Sequence, residues 1–157
     1  MTRQLKLCYI SITKKGDLKM KPSIGRIISL LSREIAMELK DVVEPFGITV
    51  GEELYFMALA HEDGITQDRL TELVSVDKSA TARAVKALEN KGLIRRDIDQ
   101  KDKRNKKLYL TEAGHEIYPE LSKALASFNE KLTSEWTDEQ YNQVYHSLEI
   151  LQQRFQK

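Results

Sequence analysis

A chain of 157 residues, 41% hydrophobic and 31% charged, has room for a real core in one domain, or in one domain with a dimerisation extension. No apolar run approaches the ~20 residues that span a bilayer. The opening MTRQLKLCYISITKKG lacks the small-residue cleavage site of a secretory signal, so the chain reads as cytoplasmic with no membrane partner. A single cysteine, Cys8, rules out an intramolecular disulfide framework. The net charge of +1 says little, but its distribution says more. From Thr66 to Thr111 twelve Lys and Arg face seven Asp and Glu, leaving +5, whereas from Glu112 onward four face eight, leaving −4. Basic charge gathered on one stretch is the footprint expected of a nucleic-acid surface.

Residues 1–21 read as an extension of unknown role, with a β-prone patch at Leu5 to Ile12 and a Lys/Gly/Asp turn after it. Pro22-Ser23 then opens a long helix to about Glu44. Its apolar positions Ile24, Ile27, Ile28, Leu31, Ile35, Leu39, Val42 and Val43 recur at three and four, predicting one buried stripe. Pro45 and Gly47 end it. Thr49-x-x-Glu52 is a capping box opening a second helix through Leu54, Phe56, Met57, Leu59 and Ala60, which stops near Asp63-Gly64.

Thr66 is placed to cap a short helix carrying Leu70, Leu73 and Val74, broken by Ser75-Val76. Asp77 is placed to cap the next, from about Lys78 to Asn90, and Lys91-Gly92 ends it because glycine takes a left-handed C′ conformation without a Cβ penalty. That order is helix, short turn, helix. Leu93 to Arg96 and Lys107 to Leu110 flank the charged run Asp97 to Lys106, which predicts an antiparallel hairpin with a long polar tip, a wing. Thr111 is placed to cap a helix with Ile117, Leu121, Leu125, Phe128 and Leu132. Pro119 inside that pattern predicts a kink or an irregular first turn. A second capping box, Thr137-x-x-Gln140, opens a last helix striped by Tyr141, Val144, Tyr145, Leu148, Leu151 and Phe155. The class is therefore mainly α with a small antiparallel β-hairpin wing.

On the Lys78 to Asn90 helix, Ala80, Val85 and Leu88 are suited to pack inward, while Ser79, Arg83, Lys86 and Asn90 share one polar face. The small residues Ser79, Ala80, Thr81 and Ala82 would let the helix lie close to base edges, where Ser79 and Thr81 can bond bases and Thr81 can touch a thymine methyl. Arg83 is suited to bidentate contact with guanine, worth ~1 to 3 kcal/mol of discrimination. Lys78 and Lys86 are suited to phosphates, as are Lys101, Lys103, Lys106 and Lys107.

Asp102-x-Arg104, followed by Leu108-x-Leu110-Thr111-x-x-Gly114, and the stretch SVDKSATARAVKALENKGLIRR from Ser75 to Arg96, resemble the MarR family of bacterial winged helix-turn-helix regulators. The resemblance runs from about Pro22 to Gln156. It implies a winged helix-turn-helix part at 49–111 and a helical dimerisation part built from 22–46 and 112–156, within one MarR-like domain at 22–156. It further implies a homodimer on a pseudo-palindromic double-stranded operator, acting as a repressor. Arg104 matches the family arginine that enters the minor groove, and Asp102 matches the acidic residue that orients the wing. Tyr55, Phe56, Met57 and His61 fall on the helix where family members bind small aromatic or phenolic ligands. The other reading is a winged-helix dimer that contacts proteins without specific DNA affinity.

Nothing in the chain suggests a cofactor, a metal or catalysis. His61, His115 and His146 have no ligand spacing, and no phosphate loop, nucleophile elbow or carboxylate pair is present. The family's peroxide-sensing cysteine would fall near Gly25, so Cys8 departs from that pattern.

Overall fold

The computed structural model describes residues 23–98 and 106–155. In chain order they form α1 (Ile24–Val43), a 3-10 turn (Glu44–Phe46), α2 (Val50–His61), β1 (Ile65–Thr66), α3 (Gln67–Val74), α4 (Lys78–Asn90), β2 (Ile94–Ile98), β3 (Lys106–Leu110), α5 (Glu112–Thr133) and α6 (Asp138–Gln153). Helix starts follow local chemistry. Ser23, Thr66, Thr111 and Thr137 each accept an amide of the first turn, and both capping boxes form, at Thr49/Glu52 and Thr137/Gln140.

The sheet has three antiparallel strands in the order β1-β3-β2, so the returning strand of the hairpin is central. Leu108 and Leu110 turn into the core and Lys107 and Tyr109 lie on the other face, the alternation a half-covered strand requires. β1 is an addition to the predicted hairpin. At two residues it is too short to show periodicity, and it is held through Ile65 opposite Leu108 and Thr66 opposite Lys107. Gly64, which introduces it, has φ 79°, and a Cβ there would come within 2.8 Å of the Tyr109 ring. Glycine fits both the backbone and the close approach.

The core lies between α2, α3, α4 and the sheet. Phe56, Leu59, Leu70, Val85, Leu88, Ile94 and Leu108 are all at most 2% exposed. Each such side chain contributes ~1.5 to 3 kcal/mol by leaving water. α1 adds Val43 and α5 adds Leu121 and the buried Gly114, but α6 buries nothing. The α1 stripe, predicted to be buried, is thus largely open in the single chain: Ile24 is 66% exposed and Leu31 48%. The α6 stripe is open too, with Tyr141 and Tyr145 stacked on each other at 6.2 Å.

α5 takes Pro119 without an irregular first turn. Its first turn is regular, with Thr111 Oγ1 accepting the Gly114 amide at 3.1 Å and the Thr111 carbonyl accepting the His115 amide at 2.9 Å, and the helix continues through Pro119. The amide that proline lacks would have bonded the carbonyl of His115. Both residues lie on the exposed face, where water can take its place. Among the described residues no helix is long and apolar enough to cross a membrane.

Candidate nucleic-acid interface

The α3–α4 turn is compact because Ser75 takes a left-handed conformation (φ 52°), its amide bonding the Glu72 carbonyl at 3.2 Å. Asp77 then starts α4, its Oδ1 accepting the amides of both Ser79 and Ala80 at 2.9 Å. The Ala80 amide is the main reason its carboxyl sits below its ordinary value; desolvation opposes this, and the Ser79 amide and the charge of Arg83 add to it. At the far end Gly92 (φ 70°) closes the helix. The Leu93 amide reaches the Leu88 carbonyl at 3.1 Å and the Gly92 amide that of Glu89 at 3.0 Å, a Schellman closure.

The buried side of α4 is Thr81, Ala84, Val85 and Leu88. This corrects the reading of Thr81 as a base contact: it is 0% exposed and its hydroxyl donates to the Asp77 carbonyl at 3.1 Å. A residue four past the cap carbonyl can satisfy its own hydroxyl locally, and its methyl then packs inward. Ala84 takes the inward role, while Ala80 and Ala82 are half-buried. Ser79, Arg83, Lys86 and Asn90 face solvent together, as their spacing predicts. Arg83 and Lys86 form no ion pair or side-chain hydrogen bond among the described residues.

Most of the other cations are engaged. Lys78 pairs with Asp68 on α3 at 2.9 Å, and Arg69 with Glu62 at 3.2 Å and Glu72 at 3.5 Å. Arg96 pairs with Glu89 of α4 at 3.2 Å, linking the wing strand to the helix. Arg95 pairs with Asp97 and lies 4.8 Å over the ring of Tyr109, its cross-strand partner. Lys91 reaches Glu52 at 2.5 Å. Lys106 is exposed at the start of β3, while Lys101, Asp102, Lys103 and Arg104 lie outside the described residues.

The hairpin is fixed to α4 by the residues around Gly114. Thr111 donates its amide to the Leu93 carbonyl at 3.0 Å and its hydroxyl to the Gly92 carbonyl at 2.6 Å, while Asp63 accepts the Leu110 amide at 2.9 Å. Gly114 permits this because a side chain there would collide with the Leu93 carbonyl oxygen. The motif Leu108-x-Leu110-Thr111-x-x-Gly114 therefore sets where the wing stands relative to α4.

The residues proposed for a ligand pocket do not converge. Tyr55 (5% exposed) and Phe56 (0%) are core, Met57 is half-buried and His61 is exposed at the end of α2. Tyr55, Phe56 and Met57 are successive on the helix and point about 100° apart, so those three cannot line one wall, whereas Met57 and His61, four apart, share a face. An open cleft of about 510 Å³ lies instead at the α1–α2 corner, bordered by Ala36, Lys40, Glu44, Ile48, Val50 and Lys91 and by none of those four. Among the described residues no group of three His, Cys, Asp or Glu side chains could hold a metal.

The MarR family profile matches residues 48–106. The HTH-type transcriptional regulator YybA of Bacillus subtilis (strain 168) is 35% identical over 117 residues, 74% of this chain and 75% of that protein. The chain belongs to the MarR family. A MarR transcriptional regulator from Methanosarcina mazei Go1 superposes with TM-score 0.74 at 36% identity, covering 83% of this chain and 94% of that one. MepR of S. aureus, solved as a DNA complex, shares the fold with TM-score 0.75 at 21% identity, over 84% of this chain and 96% of its own. This MarR-family chain is accordingly a transcriptional regulator with a winged helix-turn-helix fold. Sequence reading missed the Glu52–Lys91 and Arg96–Glu89 pairs. Partners 39 and 7 residues apart across different elements leave no periodic signal, although the capping box did single out Glu52.

Proposed function

We propose that the chain works as a homodimeric repressor that reads a pseudo-palindromic double-stranded operator with α4 and holds the flanking duplex with its wing. The observation that carries this is the exposed face of α4, where Ser79, Arg83, Lys86 and Asn90 stand clear while the opposite side is buried. Arg83 reads a guanine edge, and Ser79 and Ala82 allow close approach. Lys86 and Lys78 take phosphates, Lys78 exchanging its carboxylate partner for one. In the wing Lys101, Lys103 and Lys106 add phosphate attraction, Arg104 enters the minor groove and Asp102 orients it.

The dimerisation part consists of α1, α5 and α6. Their open stripes include Ile27, Leu31, Val144 and Leu148, all at least 39% exposed in one chain. A second copy would cover them, and two-fold symmetry would set two α4 helices ~34 to 36 Å apart, one DNA turn. That MepR, which shares the fold, is solved as a DNA complex supports a DNA-binding role. A small aromatic or phenolic ligand would release the operator by favouring a different spacing of the two helices, since only differential affinity shifts that balance. Given this family the work is cytoplasmic.

The test is selection of bound duplexes from a random pool by the purified protein at near-physiological salt. An inverted repeat with half-site centres one helical turn apart is expected. Arg83→Ala should then relax one base position at a cost of ~1 to 3 kcal/mol, and Lys106→Ala should weaken all sequences alike. A folded dimer that enriches no motif would instead be a protein-interaction module.

A further inference from the structure

We propose that Glu52 and Lys91 are a positioning pair for operator recognition, locking the C-terminal end of α4 to the first turn of α2 and so fixing how the recognition helix meets DNA. This rests on the DNA-reading function above.

α4 is tied at its start by the Asp77 cap and by Lys78 to Asp68 of α3, both exposed. At its end it is tied by Glu89 to Arg96 of β2 and by Lys91 to Glu52 of α2. The last tie differs from the others in burial and in reach. Glu52 is 8% exposed, and its Oε2 accepts both the Lys91 ammonium at 2.5 Å and the Thr49 amide at 2.7 Å. Burial raises its carboxyl's pKa, yet the Lys91 hydrogen bond and the Thr49 amide and hydroxyl together bring it below the usual value. Lys91 is the C-cap residue of α4, so its ammonium also stands at the negative end of that helix.

The pair therefore joins two helix termini of opposite polarity through one carboxylate. It does so beside the cleft at the α1–α2 corner, where Lys40 and Glu44 at the end of α1 also lie. Buried ion pairs seldom stabilise more than apolar packing would, and their distinctive contribution is a fixed geometry.

The test uses the full-length protein, the duplex it selects and a shuffled duplex of equal length. Glu52→Gln keeps the capping box, since the glutamine oxygen still accepts the Thr49 amide, but removes the charge; Lys91→Gln removes the partner. Each single variant is expected to bind the selected duplex on the order of tenfold more weakly and the shuffled duplex unchanged, with the salt slope unaltered. The double variant should bind no more weakly than either single one. The pair reading is overturned if Lys91→Gln alone weakens both duplexes and lowers the salt slope by about 0.9 per lysine, the signature of a direct phosphate contact. It is overturned equally if the variants lower the melting temperature while preference for the selected duplex stays intact. Failure of the wild-type protein to select any duplex would sink the DNA-reading function itself, before any variant is measured.

Discussion

Replacing Gly114 by alanine is a sharp test of how the wing is held. An alanine Cβ would fall about 1 Å inside the ~3.3 to 3.6 Å at which carbon and a carbonyl oxygen ordinarily meet, and the atom it meets is the backbone oxygen of Leu93. Leu93 cannot yield freely, because that oxygen accepts the Thr111 amide at 3.0 Å and the neighbouring Gly92 oxygen accepts the Thr111 hydroxyl at 2.6 Å. Weakening two such bonds costs ~0.5 to 1.5 kcal/mol each. Against this, alanine is favoured over glycine inside a helix by ~1 kcal/mol. The two bonds together account for ~1 to 3 kcal/mol, so the net is a loss of ~0 to 2 kcal/mol, or a fall of up to ~1 M in urea midpoint at a slope of ~2 kcal/mol/M. Gly51→Ala supplies the contrast, since a Cβ there has no atom within 4 Å and should leave stability unchanged or raised. Urea unfolding followed by circular dichroism at one protein concentration, which a dimer's midpoint depends on, makes the comparison. A Gly114→Ala protein that gains as much stability as Gly51→Ala would refute the steric account.

Three other outcomes are expected. Asp77→Ala should lower stability by ~1 kcal/mol and Asp77→Asn by much less, because asparagine still caps; thermal melting distinguishes them. Glu52 and Glu53 should respond to pH with opposite signs, read from urea titrations across pH 3 to 7. The carboxyl of Glu52 is lowered from 4.5, so its stabilisation is present above that value and lost as pH falls through the folded one; Glu52→Gln should destabilise at neutral pH and converge on wild type in acid. Burial raises Glu53 from 4.5, so its penalty grows as pH rises; Glu53→Gln should stabilise at neutral pH and match wild type in acid. Last, Leu148→Glu on the open α6 stripe should shift the sedimenting species from dimer to monomer, and an unchanged mass would remove α6 from the proposed interface.

The helices were legible because their ends are written in single residues. Ser23, Thr49, Thr66, Asp77, Thr111 and Thr137 all sit at N-caps, and Gly92 closes α4 in the left-handed conformation expected of it. The polar face of α4 followed from spacing alone. What did not follow was the state of Thr81, where a hydroxyl that looks available in sequence is consumed by its own helix. Nor did the side chains around Tyr55 follow, because an aromatic on a connecting helix reads the same whether it lines a cavity or fills a core. β1 and the ion pairs are products of tertiary folding and become visible only when distant segments meet.

The ion pairs of the basic stretch bear on how such a protein moves along a chromosome. Arg69, Lys78, Arg95 and Arg96 each hold a carboxylate from within the chain. A cation in that state must release its internal partner before it can take a phosphate, so unrelated sequence gains less from it than its formal charge suggests. Acidic side chains interleaved with the basic ones thus act as resident decoys for the phosphate backbone. On the proposed DNA-reading function they would shorten stops at irrelevant sites and leave the search free to end where base edges match.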